Sequence, residues 1–159
     1  MEVLSGKVKN SKSSKVNLIS VQEELVHHRQ IAGGKPVPIL SCESSSVTVK
    51  ADKNQLLAIL GHLVQNAQDA TDDDGKITIS QKRSAEGVII EIDDTGCGMD
   101  EDFIQNKLFK PFKTTKGTKG MGIGVYEARE IINAIGGKIA VSSEVDVGTS
   151  FTLTIPIAN

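Results

Sequence analysis

The chain has 159 residues, 18 basic and 20 acidic side chains, a formal net charge of −2 and 3% aromatic residues. This length fits one domain with a substantial buried core. Balanced charge and few aromatic rings exclude a basic, base-stacking surface, so we predict no nucleic-acid partner. Cys42 and Cys97 follow no pairing motif, and no apolar run has the length of a membrane span. We therefore expect reduced thiols in a cytosolic setting.

The first part of the chain predicts a linker, a helix and two short strands. Residues 1–15 are polar and rich in Ser and Lys, typical of a linker or the remnant of a dimerisation helix, and the domain is placed at 16–159. Apolar residues at helical spacing then predict an amphipathic helix that stops at Gly33. Its apolar positions are Leu18, Val21, Leu25, Ile31 and Ala32. Residues 36–42 and 47–50 indicate strands around a Ser-rich turn.

The middle of the chain predicts a second helix followed by a strand pair. Asp52 can cap this helix, which ends near Thr71. Its apolar face carries Leu56, Leu57, Ile59, Leu60, Leu63, Val64, Ala67 and Ala70. Strict alternation over residues 76–82 predicts a strand, and residues 87–94 are its antiparallel neighbour.

The last third of the chain combines an irregular segment with a helix and two strands. Apart from a short helical stretch near Phe103 to Leu108, residues 96–122 lack strong periodicity, which is typical of a binding loop or lid. A helix over 123–135 stops at Gly136, and strands over 138–143 and 149–156 follow. We predict an α+β fold, a two-layer sandwich with helices packed on one face of a mixed, largely antiparallel sheet.

A glycine-rich run points to a phosphate-bearing ligand. In Gly120-Met-Gly-Ile-Gly124, alternate glycines let backbone N–H groups close on a phosphate chain, and the following helix adds its unpaired N–H groups. Lys113, Lys116 and Lys119 lie just before it among threonines, which suits a triphosphate, although a solvated loop would have the same composition. The run lacks the Walker lysine and does not follow the first strand of a βαβ unit.

Two polar residues next to apolar stretches are candidate ligand contacts. Asn66 lies within the second helix, and its amide oxygen can complete the oxygen shell of Mg²⁺; a surface Asn is the alternative. Asp94 ends a strand ahead of Gly96 and Gly98, where a carboxylate can accept from the amine of adenine and glycines let a ring approach. An ordinary Asp-Gly turn would look the same. Alternation places the competing Asp93 on the other face.

The histidines do not form a zinc or hydrolase pattern. His27 and His28 lie in the first helix, where a surface position is expected. His62 lies in the helix of Asn66, where it can act as a base or pack on the helix face.

Five motifs in order resemble those of one family. They are the N box Leu63–Thr71, the glycine box Asp94–Met99, the F box Leu108–Phe112, the second glycine box Gly120–Gly124 and the strand motif Gly148–Leu153. The chain, over Val16–Ile157, resembles the catalytic and ATP-binding domain (HATPase_c) of bacterial sensor histidine kinases. This is the Bergerat fold shared with gyrase, MutL and a heat-shock chaperone family. Residues 109–130 are particularly similar to PrsK-like kinases, which are linked to exopolysaccharide and exosortase systems.

The resemblance implies ATP and Mg²⁺ as ligands. Asn66 would bind Mg²⁺, Asp94 would read the adenine amine, and Thr149 would support hydrogen bonds on the adenine side. The other implied nucleotide contacts are Gly96 and Gly98 in the base pocket, and Lys116, Gly120, Gly122 and Gly124 along the triphosphate. Phe109 and Phe112 would pin a lid over residues 105–119.

Departures from the family pattern define what we expect of this chain. His62 stands where most of these kinases have a second Asn and gyrase-like ATPases have the Glu that activates water. Asp69 stands where many kinases have Lys or Arg, and this pattern leans toward the gyrase-like branch. His27-His28-Arg-Gln does not fit an acceptor histidine, so we expect a truncated kinase that cannot phosphorylate itself.

The function that the resemblance implies is phosphoryl transfer from ATP–Mg²⁺ to a histidine on a separate dimerisation and phosphoacceptor domain. A response regulator would act downstream, in a two-component phosphorelay. We expect the isolated domain to be a monomer and the cytoplasmic part of an inner-membrane-associated kinase. The alternatives are a gyrase- or MutL-like ATPase fragment and a non-catalytic nucleotide-sensing module.

Overall fold

The computed structural model describes residues 14–42, 47–109 and 121–158. The elements in chain order are β1 (Ser14–Asn17), α1 (Leu18–Ala32), β2 (Ile39–Cys42), β3 (Thr48–Ala51), α2 (Lys53–Ala70), β4 (Ile77–Ser84), β5 (Gly87–Asp94), α3 (Glu101–Phe103), α4 (Met121–Ala134), β6 (Lys138–Glu144) and β7 (Gly148–Ile155). Helix α3 continues as a π-helical turn over Ile104–Leu108. Within these ranges, no helix is both long and apolar enough to cross a membrane.

The main sheet has the strand order β2-β4-β5-β7-β6. Strand β2 runs parallel to β4, and the other neighbours are antiparallel. A separate antiparallel pair joins β1 to β3. Along most of β4, β5 and β7, alternate residues are buried against the helices and the residues between them are half-exposed; Lys82 and Arg83 near the end of β4 are exposed. The predicted α+β architecture, with helices on one face of a mixed and largely antiparallel sheet, is confirmed.

Helix α2 is the element that connects the core to the ligand site. Asp52 caps it, since its carboxylate accepts from the backbone N–H groups of Asn54 and Gln55 at 2.8 and 3.1 Å. One stripe of the helix is buried, comprising Leu56, Ile59, Leu60, Leu63, Val64 and Ala67. Each fully buried aliphatic side chain contributes about 1.5–3 kcal/mol. This burial holds the C-terminal half of α2, which carries Asn66, over the sheet.

The N-terminal part of the domain differs from the prediction. Strand β1 begins at Ser14, inside the segment predicted as a linker, and pairs with β3; residues 1–13 lie outside the described residues. Strands β2 and β3 belong to different sheets instead of flanking one turn as neighbours: β2 pairs with β4 and β3 with β1, because strand periodicity does not specify the pairing partner. Ile31 was predicted on the apolar face of α1 but is 71% exposed, because the buried face ends at Leu25.

Candidate nucleotide-binding site

A cavity of about 170 Å³ lies where α2, the end of β5, α3 and the start of β7 meet. It is lined by Asn66, Ala67, Ala70, Asp94, Cys97, Gly98, Met99, Phe103, Leu108, Thr149 and Phe151. An engineered apolar cavity of about 150 Å³ binds benzene, so this volume accommodates one flat aromatic ring. The walls are mainly apolar, and a few polar groups converge on them, which is typical of small-ligand sites.

Asp94 provides the carboxylate of the cavity. It is the last residue of β5 and lies opposite Thr149 of β7. Its Oδ1 accepts from the backbone N–H of Gly96 at 2.8 Å, and the backbone N–H of Thr149 also donates to the carboxylate. Burial raises the pKa of Asp94; the two N–H donors oppose this shift and the charge of Asp93 adds to it. Asp93 lies on the other face of the sheet, where it accepts from Ser150 Oγ.

The two glycines after β5 pack closely against neighbouring backbone, and their predicted role of letting a ring approach stays a prediction. A Cβ atom on Gly96 would lie 2.4 Å from the carbonyl oxygen of Ala70, at the end of α2. The N–H of Cys97 donates to that same oxygen at 3.0 Å. Gly98 has φ +74°, and its Cβ would lie 2.2 Å from the carbonyl oxygen of Glu144. The absence of a Cβ atom at these glycines therefore lets the loop pack against α2 and against the β6–β7 turn. Of the two, only Gly98 lines the cavity.

Thr149 is 8% exposed and is linked to a residue that sequence reasoning missed. Its Oγ1 lies 2.7 Å from Ser143 Oγ, which also accepts from the backbone N–H of Met99 at 2.8 Å. Gly148, the first residue of the predicted strand motif, has φ +147°, and a Cβ there would lie 2.0 Å from the carbonyl oxygen of Asp94. The signal for Ser143 was the short β6–β7 hairpin, whose register pairs Ser143 with Thr149.

The α2 candidates fall in different environments. Asn66 is half-buried and lines the cavity, whereas His62, one turn earlier, is exposed and is not part of the cavity wall. Asp69 is also exposed, and its carboxylate accepts from Gln65 Nε2 of the same helix at 2.9 Å. Asn66 is therefore the polar side chain that α2 contributes to the described wall of the cavity, beside Ala67 and Ala70.

The predicted lid and phosphate residues are only partly described. Phe109 is half-buried, and the guanidinium carbon of Arg129 from α4 lies 4.6 Å from the centre of its ring, a cation–π distance. This contact ties the end of the α3 segment to α4. Gly122 and Gly124 fall at the beginning of α4. Phe112, Lys116 and Gly120 lie outside the described residues, as do Lys113 and Lys119.

An α+β fold with a ring-sized, mainly apolar cavity and a carboxylate on its wall is typical of a domain that binds a small ligand. The chain belongs to the family of histidine kinase-, DNA gyrase B- and HSP90-like ATPases, whose model matches residues 51–159. ATP is accordingly its nucleotide.

Named relatives place the chain among sensor kinases. It is 35% identical over 152 residues to the signal transduction histidine-protein kinase AtoS of Escherichia coli, covering 94% of this chain and 25% of AtoS. It is 35% identical over 122 residues to the sensor protein FixL of Bradyrhizobium diazoefficiens, covering 75% of this chain and 24% of FixL. The chain thus spans about a quarter of the length of these curated relatives.

Solved structures agree with these relatives. The nucleotide-free catalytic domain of the histidine kinase ThkA superimposes with a TM-score of 0.79 at 28% identity, covering 91% of this chain and 95% of that domain. ThkA in complex with the response regulator protein TrrA gives a TM-score of 0.75 at 26% identity, covering 92% of this chain and 42% of that one. The prediction of an ATP-binding domain of a two-component histidine kinase is confirmed. The narrower resemblance to PrsK-like kinases is not confirmed by these matches and stays a prediction.

Proposed function

We propose that this domain positions ATP with Mg²⁺ so that the γ-phosphoryl group passes to a histidine on a separate dimerisation domain of the same kinase. A response regulator would then receive the phosphoryl group. The observation that carries the proposal is Asp94, a half-buried carboxylate held by backbone N–H groups on the wall of a cavity that accommodates one ring.

Adenine recognition rests on the chemistry of this carboxylate. An ionised carboxylate only accepts hydrogen bonds, so opposite position 6 of a purine it favours the amine of adenine over the carbonyl oxygen of guanine. Because the two backbone N–H groups occupy part of its acceptor capacity, the carboxylate has a defined orientation toward the cavity. Apolar walls such as Phe151 and Leu108 offer contact to the faces of the ring.

The residues present also fit a magnesium ion. Asn66 is half-buried and lines the cavity, and an amide oxygen is a ligand that Mg²⁺ accepts beside phosphate oxygens and water. When bound, the ion neutralises negative charge on the phosphates during transfer. Asn66 would hold it, while Lys116, Gly120, Gly122 and Gly124 are the proposed triphosphate contacts.

Phosphoryl transfer, rather than rapid hydrolysis, is the function that the α2 helix favours. His62 occupies the position of the water-activating Glu of gyrase-like ATPases, and this imidazole is exposed and outside the cavity wall. A neutral imidazole at that position is a weak substitute for a carboxylate. We therefore propose slow turnover of ATP by the isolated chain, with His62 as a weak candidate base.

The cellular setting is proposed from the relatives. Because they are sensor kinases, we propose that this chain acts as the cytoplasmic part of an inner-membrane-associated kinase. We also propose that the isolated domain is monomeric, since dimerisation would belong to the domain that carries the acceptor histidine.

Labelled ATP and the full-length kinase that carries the acceptor histidine test the proposal. We expect an acid-labile phosphohistidine that is lost on Asn66→Ala and retained on Asn133→Ala, a matched change at an exposed position of α4. Phosphate release without phosphohistidine would favour the gyrase-like alternative. Nucleotide binding with neither product would leave a nucleotide-sensing module and refute the transfer proposal.

A further inference from the structure

We infer that Ser143 is a positioning residue that orients the Thr149 hydroxyl as a hydrogen-bond acceptor, so that the cavity selects a purine with an amine at position 6. The inference rests on the proposed function, because it concerns the base that the cavity holds. It adds a specificity determinant on β6, a strand to which sequence reasoning assigned no ligand role.

The side chain of Ser143 makes three short polar contacts. Its Oγ lies 2.8 Å from the backbone nitrogen of Met99, 3.0 Å from the carbonyl oxygen of Gly148 and 2.7 Å from Thr149 Oγ1. Met99 and Thr149 both line the cavity. Ser143 thus joins the loop after β5 to the start of β7, directly behind two residues of the cavity wall.

The number of available protons determines which atom donates in each hydrogen bond of Ser143. The Met99 N–H can only donate and the Gly148 carbonyl can only accept, while a serine hydroxyl has one proton and two lone pairs. For all three contacts to be hydrogen bonds, Ser143 must give its single proton to Gly148. Thr149 must then donate its own hydroxyl proton to Ser143. The Thr149 oxygen is left with lone pairs alone for a ligand in the cavity.

Two acceptors therefore stand side by side on the cavity wall. Asp94 and Thr149 are register partners across β5 and β7, so the carboxylate and the hydroxyl oxygen are neighbours. An exocyclic amine carries two N–H groups and can donate one to each. A purine with a carbonyl oxygen at position 6 would present an acceptor to both, and neither contact could become a hydrogen bond.

The test compares ADP with inosine diphosphate, which differs by an oxygen in place of the amine at position 6 and by the resulting ring tautomer. Dissociation constants for both are measured by calorimetry with the whole chain, Ser143→Ala and Ser142→Ala. Ser142 is exposed on the other face of β6 and serves as the matched control. We expect the parent and Ser142→Ala to prefer ADP. We expect Ser143→Ala to reduce that preference about three- to tenfold, because the freed Thr149 hydroxyl can rotate and donate to the oxo group.

A double-mutant comparison distinguishes an orienting role of Ser143 from a role in packing alone. Thr149→Val removes the hydroxyl with little change of shape, so adding Ser143→Ala to it should leave the preference unchanged. Should Ser143→Ala not fold, Ser143→Cys keeps the size with a much weaker donor, and we expect the same loss of preference.

The outcomes distinguish this inference from the proposed function. If Ser143→Ala weakens ADP and inosine diphosphate equally, or leaves their ratio at the parent value, the orienting role is refuted while ATP binding stands. If the parent chain binds ADP no better than inosine diphosphate, the assignment of two acceptors is wrong. If the parent binds neither nucleotide, the proposed function itself fails.

Discussion

Replacing Gly98 by alanine tests whether the cavity wall depends on close backbone packing. Gly98 has φ +74°, and an added Cβ would lie 2.2 Å from the carbonyl oxygen of Glu144. Gly33 is a matched control, since it has φ +79° and no atom within 4 Å of an added Cβ. Both changes carry the left-handed backbone cost of about 1–2 kcal/mol, but only Gly98→Ala adds a collision.

The steric clash at Gly98 determines how much more stability Gly98→Ala loses than Gly33→Ala. Ordinary van der Waals contact begins at 3.4 Å, so the loop or the β6–β7 turn must move by about 1 Å. Overpacking of this kind costs about 1–3 kcal/mol, which brings Gly98→Ala to roughly 2–5 kcal/mol in total. At about 2–4 °C per kcal/mol, we expect melting temperatures lower by roughly 2–8 °C for Gly33→Ala and 4–20 °C for Gly98→Ala.

Melting curves and ADP titrations of the two variants measure these effects. Gly98 lines the cavity, so we expect Gly98→Ala to weaken ADP binding at least about tenfold, which corresponds to about 1.4 kcal/mol. Gly33→Ala should keep the parent affinity, because Gly33 ends α1 and is not part of the cavity wall. Equal loss of stability in both variants, with unchanged ADP binding, would refute the reasoning.

Three further predictions concern charge, packing and helix capping. Burial raises the pKa of Asp94 and ADP needs its ionised form, so affinity should be full at neutral pH and fall on acidification earlier than for an ordinary Asp; calorimetry across pH measures this, and an affinity that stays constant on acidification would contradict it. Arg129→Met should lose about 0.5–1 kcal/mol with its cation–π contact, whereas the exposed Arg83→Met should lose nothing measurable in denaturant unfolding. Asn17→Ala should cost about 1 kcal/mol in the same assay, because its side chain accepts from two backbone N–H groups at the start of α1; an unchanged midpoint would contradict that cap.

Local signals were sufficient for the elements that carry the site. Asp52 followed by an apolar stripe predicted α2, and residues 87–94, interpreted as the antiparallel neighbour of the alternating strand before them, predicted β5 with its observed bounds. The end of α1 was also predictable from local sequence, because the left-handed backbone at its C-cap requires only a glycine, Gly33, at that position. These patterns depend on residues within one or two turns of the chain, which a single sequence displays.

Long-range partners could not be predicted in the same way. The parallel pairing of β2 with β4 and the pairing of β1 with β3 join segments distant in sequence, and strand periodicity does not specify the partner. Ser143 escaped notice because serine is common in turns and edge strands, and its role appears only once Met99 lies against it. The role of Gly98 likewise depends on a carbonyl oxygen contributed by Glu144, about fifty residues later in the chain.

Calorimetric titration of the purified chain with ADP and Mg²⁺ tests the central claim most directly, with GDP and the Asp94→Asn variant in parallel. We predict binding of ADP, much weaker binding of GDP, and loss of ADP binding in the variant with its fold intact by circular dichroism. Equal binding of ADP and GDP, or undiminished ADP binding by Asp94→Asn, would contradict the claim that this carboxylate recognises adenine in the cavity.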